Sequence, residues 1–250
     1  MSLFERETEA LETLFSGIPS TALSLDGIAP APAGKGAGLI LQNAVYAELG
    51  TPETTESAQI SLYSNVVGPD SVKLIGPALE TLQGTAVSFA QVIVLRGEKI
   101  DVEAYYRFLQ RQQRLLDHPG WMVKSAKGRI WIRTATVDGA VPDFAQAAAT
   151  YIARIRTAFP EVEGVEILFI TENEDLVGRL AERAAKQIEE ARAIKEGVWK
   201  ERGFDYKSCQ LAGHCGGCAD KKTCASVRKI EARVRIHRRE EAQQRGVSAD

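Results

Sequence analysis

The sequence has no cysteine outside one short segment, because all four of its cysteines lie between Cys209 and Cys224. It also lacks an uninterrupted run of about 20 apolar residues, the length that a membrane-spanning helix needs. Its opening residues, MSLFERETEALETLF, carry acidic side chains where a secretory signal carries basic ones. We therefore predict a cytoplasmic protein with no membrane span. In a reducing cytosol, a tight group of thiols indicates a metal or redox site rather than structural disulfides.

An excess of charge of either sign is missing too, since the formal net charge is −2. The chain as a whole is not attracted to nucleic acid or anionic lipid, and with no readable groove-binding motif we do not expect a nucleic-acid partner. The sequence contains no nucleophile elbow, zinc-protease helix or dinucleotide-binding fingerprint. A hydrophobic content of 44% with 26% charged residues is typical of a globular protein with a packed core.

Hydrophobic periodicity predicts a strand, helix, strand, helix, strand order over residues 86–171. Two shorter strands precede it, at 59–63 and 72–75, and we expect them to pair as a hairpin. The fold class is therefore α+β: a mixed sheet with crossover helices, followed by a long helix, a cysteine-rich metal loop and a basic C-terminal helix. Thr171 and Glu174 are the predicted capping box of the long helix.

The predicted organisation has three parts. Residues 1–38 form an N-terminal helix and a linker, residues 39–172 form the α+β domain, and residues 173–250 form a helical module that carries the cysteines. Trp121 and Met122 follow the turn at 118–120 and are predicted to be core residues.

The cysteine pattern is Cys-x5-Cys-x2-Cys-x5-Cys, formed by Cys209, Cys215, Cys218 and Cys224. Four thiolates in one glycine-containing loop are a suitable ligand set for a [4Fe–4S] cluster or for tetrahedral zinc. Structural zinc loops commonly use two Cys-x-x-Cys pairs, and this segment has one such pair between wider arms. We favour the cluster, with zinc as the alternative and free or redox-paired thiols as the third interpretation.

Several segments, in order along the chain, resemble the acetyl-CoA synthase (beta) subunit of the carbon monoxide dehydrogenase/acetyl-CoA synthase family. These segments are NAVYAELGTPE (43–53), VKLIGPALE (72–80), RIWIRTA (129–135), FPEVEGVEILFITENEDLV (159–177) and KSCQ (207–210). The resemblance is to the middle domain and cluster loop of that family, in which a cubane is bridged to further metals including nickel. It implies that Cys209 matches the first cluster cysteine, whereas Ala212 stands where the family has its second.

The same resemblance implies a limit on activity. The family's nickel site is a Cys-x-Cys pair, and the complete centre takes about six thiols, whereas this chain has four cysteines and no Cys-x-Cys. We therefore do not expect an acetyl-CoA synthase that acts alone. The expected role is that of an accessory, electron-transfer or assembly subunit in anaerobic carbon monoxide or one-carbon metabolism. A carbon monoxide dehydrogenase-like or other redox subunit is the expected partner.

The segment RIWIRTA resembles the family's proposed coenzyme A region. Strand alternation places Arg129, Trp131 and Arg133 on one face, where guanidinium groups could hold phosphates and the indole could stack on adenine. The other interpretation is a sheet face covered by a helix, with the arginines reaching solvent. The alternative to an iron–sulfur protein is therefore a zinc-stabilised module that binds coenzyme A or a protein and has no redox role.

Positive charge is concentrated beside the cysteines, and we predict that this basic segment binds a protein partner. Its members are Lys221, Lys222, Arg228, Lys229, Arg233 and Arg235.

Overall fold

The computed structural model describes residues 5–32, 45–53, 55–98, 100, 102–116, 118–141 and 143–201. The elements are α1 (Glu5–Phe15), β1 (Thr21–Ala22), β2 (Ala47–Leu49), β3 (Ser57–Ser64), β4 (Ser71–Ile75), β5 (Ala86–Val87), β6 (Phe89–Arg96), α2 (Val102–Leu115), β7 (Trp121–Ala126), β8 (Arg129–Thr134), α3 (Phe144–Ala158), β9 (Gly164–Thr171) and α4 (Glu174–Glu201). The chain divides into two compact units, residues 1–191 and 192–250. The sheets and all the contacts given below belong to the first unit. The predicted domain boundaries at residues 38 and 172 stay predictions.

The larger sheet has five strands in the order β1-β4-β9-β6-β3. It is mixed, because β4 runs parallel to β9 and β3 parallel to β6, whereas β6 and β9 are antiparallel. The longest apolar strands occupy the centre, where both faces are buried. The α+β prediction with a mixed sheet is confirmed.

The predicted hairpin of the two early strands is wrong. These strands, β3 and β4, lie on opposite sides of the central pair β6 and β9. The six residues 65–70 connect them across the end of the sheet, and an extended segment of that length reaches about 20 Å, against about 14 Å for three strand spacings. The crossing is close: a Cβ on Gly164 would stand 1.9 Å from the Gly68 carbonyl oxygen. Glycine at 164 therefore allows the loop to lie against β9.

The second sheet has four strands in the order β5-β2-β8-β7. The hairpin of β7 and β8 turns through Lys127 and Gly128, which both have positive φ, of 50° and 76°. Positive φ at both central residues defines the type I′ turn, which matches the twist of a two-residue hairpin. Trp121 is 2% exposed, as predicted for a core residue, and it also begins a strand that the sequence reading did not identify.

An aromatic part of the core lies where α3 packs against the larger sheet. Phe144 stacks on Phe169 with ring centroids 4.7 Å apart and on Phe89 at 6.2 Å. Its ring also meets the edge of Trp121 at 5.9 Å, so the same aromatic group joins α3, the larger sheet and β7. Aromatic contacts of this kind add about 0.5–1.5 kcal/mol each beyond the area they bury.

Both long C-terminal helices of the first unit begin at side-chain caps. Asp143 accepts hydrogen bonds from the amides of Ala145 and Gln146 at the start of α3. Asn173 caps α4, because its Oδ1 accepts from the Leu176 amide at 3.0 Å. The predicted capping box at Thr171 is wrong, since the Thr171 hydroxyl donates instead to the Pro77 carbonyl.

A chain of buried polar groups joins α2 and α4 to the edge strand β3. Gln112 donates to the Ser61 hydroxyl at 2.6 Å, and Gln187 donates to the Ser61 carbonyl at 2.6 Å. Tyr105 also donates to that carbonyl. The outer edge of β3 is buried: side chains bond the Ser61 carbonyl, and the Gln59 amide donates to the Gly128 carbonyl, so the edge is not open to another strand.

Within the described residues, no helix has the length and apolar composition needed to cross a membrane.

Candidate functional site

The predicted cysteine site and basic segment lie outside the described residues, which end at residue 201. Cys209, Cys215, Cys218 and Cys224 therefore stay predicted ligands, and Lys221 through Arg235 a predicted partner surface. The described residues themselves contain no group of three or more His, Cys, Asp and Glu side chains that could hold a metal.

The structure places Arg129, Trp131 and Arg133 on one face of β8. Along this strand, residues alternate between exposed or half-buried positions and fully buried ones, and these three are the outward members. The inward members Ile130, Ile132 and Thr134 are buried. We call the outward side of the second sheet the Trp131 face.

Neighbouring strands add charged residues to this face through their register. Lys124 of β7 is directly opposite Trp131, while Glu48 of β2 and Met122 of β7 lie on either side of Arg133. Side chains directly opposite each other on one sheet face have Cβ atoms about 4.5–5.5 Å apart. The face therefore combines one large aromatic ring with cations from two strands.

Two cations lie close to the indole of Trp131. The Lys124 ammonium is 5.2 Å from the ring centroid, and the Arg133 guanidinium carbon is 5.9 Å from it. These separations are within the cation–π range of about 6 Å. The indole N–H is buried and has no hydrogen-bond partner among the described residues.

The two arginines of the face differ in how firmly they are held. Arg133 donates from Nε to Glu48 Oε1 at 3.1 Å, and its side chain is 15% exposed. Arg129 is 57% exposed and lies 3.6 Å from Glu56, which is itself 51% exposed. An exposed pair of this kind contributes about 0–1 kcal/mol. Arg129 is therefore the more available cation, whereas Arg133 is held by Glu48 over the indole ring.

Sequence reasoning missed Lys124 and Glu48 because it did not identify β7 and β2. The signal for β7 is the Lys127-Gly128 pair, which stands as a possible two-residue turn directly before the alternating strand RIWIRT. Its recognition would have placed Lys124 beside Trp131. The three residues of β2 are too short for a periodicity argument.

Tyr151 of α3 is a buried residue whose pKa is clearly perturbed. Its side chain is 2% exposed, and burial raises the pKa of Tyr151 well above its usual value, an effect that the nearby Gln112 side chain partly offsets. The Gln112 amide also donates to the Ser61 hydroxyl, so it lies between Tyr151 and the edge strand β3. Tyr151 belongs to the core and not to the Trp131 face.

Comparison with known proteins gives a distant relationship. No family model matches the chain. It is similar to the acetyl-CoA decarbonylase/synthase complex subunit beta of Archaeoglobus fulgidus, with 26% identity over 186 residues. The match covers 72% of this chain and 35% of the archaeal subunit, so the chain spans about a third of its relative's length. The chain is thus distantly related to the beta subunit of the acetyl-CoA decarbonylase/synthase complex.

Proposed function

We propose that this chain is an iron–sulfur protein that serves anaerobic carbon monoxide or one-carbon metabolism as an accessory, electron-transfer or assembly subunit. The observation that carries the proposal is its distant relationship to a subunit of the acetyl-CoA decarbonylase/synthase complex. The four closely spaced cysteines supply the ligand chemistry. We expect a cytoplasmic protein that works with a redox partner.

In this proposal Cys209, Cys215, Cys218 and Cys224 hold a [4Fe–4S] cluster. Four thiolates are the usual ligand set of such a cluster, which supplies one-electron transfer when bound. Zinc is the alternative ion, because four thiolates also satisfy a structural tetrahedral site. The cluster and the zinc site predict different contents of iron, sulfide and zinc in the purified protein.

Metal and sulfide analysis of the full chain, purified without oxygen, tests this proposal. We expect about four irons and four sulfides per chain, with a broad visible absorption that bleaches on reduction. The variant Cys218→Ser should lose most of the iron, whereas Ser208→Ala, which changes the residue next to Cys209, should retain it. One zinc per chain without sulfide would refute the cluster and leave a structural metal site.

The basic segment is proposed to bind an acidic redox partner. Charged residues at the edge of an interface mainly change the association rate and its dependence on salt. With a reduced ferredoxin as an acidic electron donor, the cluster of the double variant Lys221→Gln/Lys222→Gln should be reduced several-fold more slowly and with a weaker salt dependence than that of the wild type. The double variant Arg179→Gln/Lys186→Gln, at two exposed positions of α4, removes the same amount of charge and is the matched control. Equal rates in all three proteins would contradict the assignment.

A second candidate function is coenzyme A binding at the Trp131 face. The observation that favours it is the indole between Lys124 and Arg133, with the exposed Arg129 on the same side. An adenine can stack on such a ring, while the cations hold phosphates by charge-assisted hydrogen bonds. Such bonds contribute about 1.5–3 kcal/mol each, or roughly tenfold or more in affinity.

Titration calorimetry with coenzyme A tests this candidate. Arg129→Ala and Arg133→Ala should each weaken binding about tenfold. Arg179→Ala, an exposed arginine of α4 outside this face, should leave it unchanged. Failure of the wild-type protein to bind coenzyme A would refute this function while leaving the iron–sulfur proposal intact.

A further inference from the structure

A polar groove lies where the chain passes from β9 into α4. It has a volume of about 630 Å³ and is lined by Thr55, Ala86, Val87, Ser88, Glu172, Asn173, Glu174 and Asp175. Three of these residues are acidic, and none of the described lining residues is basic. We call it the acidic groove.

The helix terminus explains only part of this charge. Glu174 and Asp175 lie in the first turn of α4, where acidic side chains interact favourably with the helix dipole. Glu172 precedes the capping residue Asn173 and has a left-handed backbone with φ of 55°. Its carboxylate lies outside the helix, and among the described residues none of the three acids forms an ion pair.

Ser88 provides an independent indication of a ligand. It forms part of the groove wall and is 2% exposed, yet its hydroxyl has no hydrogen-bond partner within the described residues. Its backbone carbonyl is already used by the Glu172 amide at 3.1 Å. Buried hydroxyls are normally paired, so an unpaired one beside an acidic groove marks a place where a bound group can supply a partner.

The shape and chemistry of the groove select one kind of occupant. The carboxylates do not form a group that could hold a metal ion in the described part of the chain. Apolar cofactors prefer sites lined mainly by hydrophobic side chains, and this groove is mostly polar. Ammonium or guanidinium groups spaced along an extended ligand match separated carboxylates better than one compact ion does.

The strand β5 adds a reason for a protein ligand. Among the described strands it is the end strand of its sheet, it pairs with β2 on one side, and both of its residues line the groove. An unpaired strand edge can accept an extended segment through main-chain hydrogen bonds, while side-chain contacts give specificity. We propose that the acidic groove binds an extended, lysine- or arginine-rich segment of a partner protein.

This inference goes beyond the iron–sulfur proposal and does not depend on it. The groove lies within residues 1–191, and the test measures peptide binding, so its outcome is the same whichever metal the cysteines hold.

The test uses the purified full chain and a blocked hexa-arginine peptide, with calorimetry at about 50 mM salt, where exposed charges are weakly screened. The triple variant Glu172→Gln/Glu174→Gln/Asp175→Asn should weaken binding at least tenfold. The control triple Glu9→Gln/Glu80→Gln/Glu98→Gln changes the net charge equally at exposed sites outside the groove and should stay within about twofold of wild type.

Two further measurements keep the proposal refutable. Glu172 lies outside α4, so the single variant Glu172→Gln should fold normally, and it should bind the peptide about threefold more weakly. Spermine distinguishes a small polyamine from a protein segment, and it should bind much more weakly than the peptide. Equal losses in the two triple variants, no binding to wild type, or spermine binding as tightly as the peptide would each overturn the proposal.

Discussion

Replacing Gly128 by alanine tests how the β7–β8 hairpin packs against α4. A Cβ at this position would stand 2.9 Å from the Ala184 Cβ and 3.1 Å from the Ile188 Cδ1, and the residue has φ of 76°. The left-handed backbone costs about 1–2 kcal/mol for alanine. Overpacking in a tight contact costs about 1–3 kcal/mol more. We expect a loss of about 2–5 kcal/mol in the free energy of unfolding.

The chain contains a matched control for this substitution. Gly139 occupies the same position in a second two-residue turn, after Asp138 with φ of 51°, and has φ of 79° itself. Nothing lies within 4 Å of a Cβ built on Gly139. Gly139→Ala therefore isolates the backbone cost, about 1–2 kcal/mol, and the difference between the two variants measures the contact with α4.

Urea unfolding followed by circular dichroism measures both variants. The double variant Gly128→Ala/Ala184→Gly removes the nearest contact and should recover part of the packing loss, which a double-mutant cycle separates from the intrinsic cost of glycine in a helix. Equal losses in Gly128→Ala and Gly139→Ala would show that α4 does not press on the hairpin, and would refute the reasoning.

The remaining predictions concern the α3 cap, a buried tyrosine and the polar chain at β3. Asp143→Ala removes the cap of α3 and should cost about 1 kcal/mol in unfolding free energy, with Asp143→Asn close to wild type. Tyr151 keeps its proton in the folded state above pH 10, whereas the unfolded chain releases it. Stability should therefore fall by up to about 1.4 kcal/mol per pH unit from pH 10 upward. Tyr151→Phe should show a shallower fall over that range, and a fall of equal slope would count against the buried neutral phenol. Gln187→Leu should cost about 0.5–1.5 kcal/mol, because it removes one of two donors to the buried Ser61 carbonyl and Tyr105 remains, and an unchanged urea midpoint would contradict this contact.

Parts of the fold follow directly from local sequence. The strand β9 occupies residues 164–171 as predicted, because its nearly continuous apolar run matches a central strand buried on both faces. The apolar stripe of α4 is also predicted from helical spacing, and its residues Leu176, Leu180 and Ala184 are buried. These elements depend on periodicity alone, which a single sequence contains.

Other parts depend on competition between distant groups. The hydroxyl of Thr171 has a carbonyl acceptor at Pro77, so the cap of α4 is formed by Asn173 instead. Strand partners are also non-local, and the hairpin prediction failed because β6 and β9 displace β3 and β4 from each other.

The candidate site also has a part that local sequence predicts and a part that depends on long-range contacts. Alternation within β8 correctly places Arg129, Trp131 and Arg133 on one face. The contributions of Lys124 and Glu48 become visible only when the register of three strands is known. The acidic groove was not predicted, since it joins loop residue Thr55, the strand β5 and the start of α4.

The position of β9 in the larger sheet has a consequence for synthesis and folding. This strand is the last of the sheet to leave the ribosome, yet it lies between β4 and β6 and pairs with both. Until residue 171 emerges, β4 has no central neighbour and β6 exposes a long apolar edge. Sheet closure must therefore wait for long-range contacts, the condition that slows folding and exposes chains to aggregation. A fragment ending before β9 should collect in inclusion bodies, whereas one extending through α4 should fold.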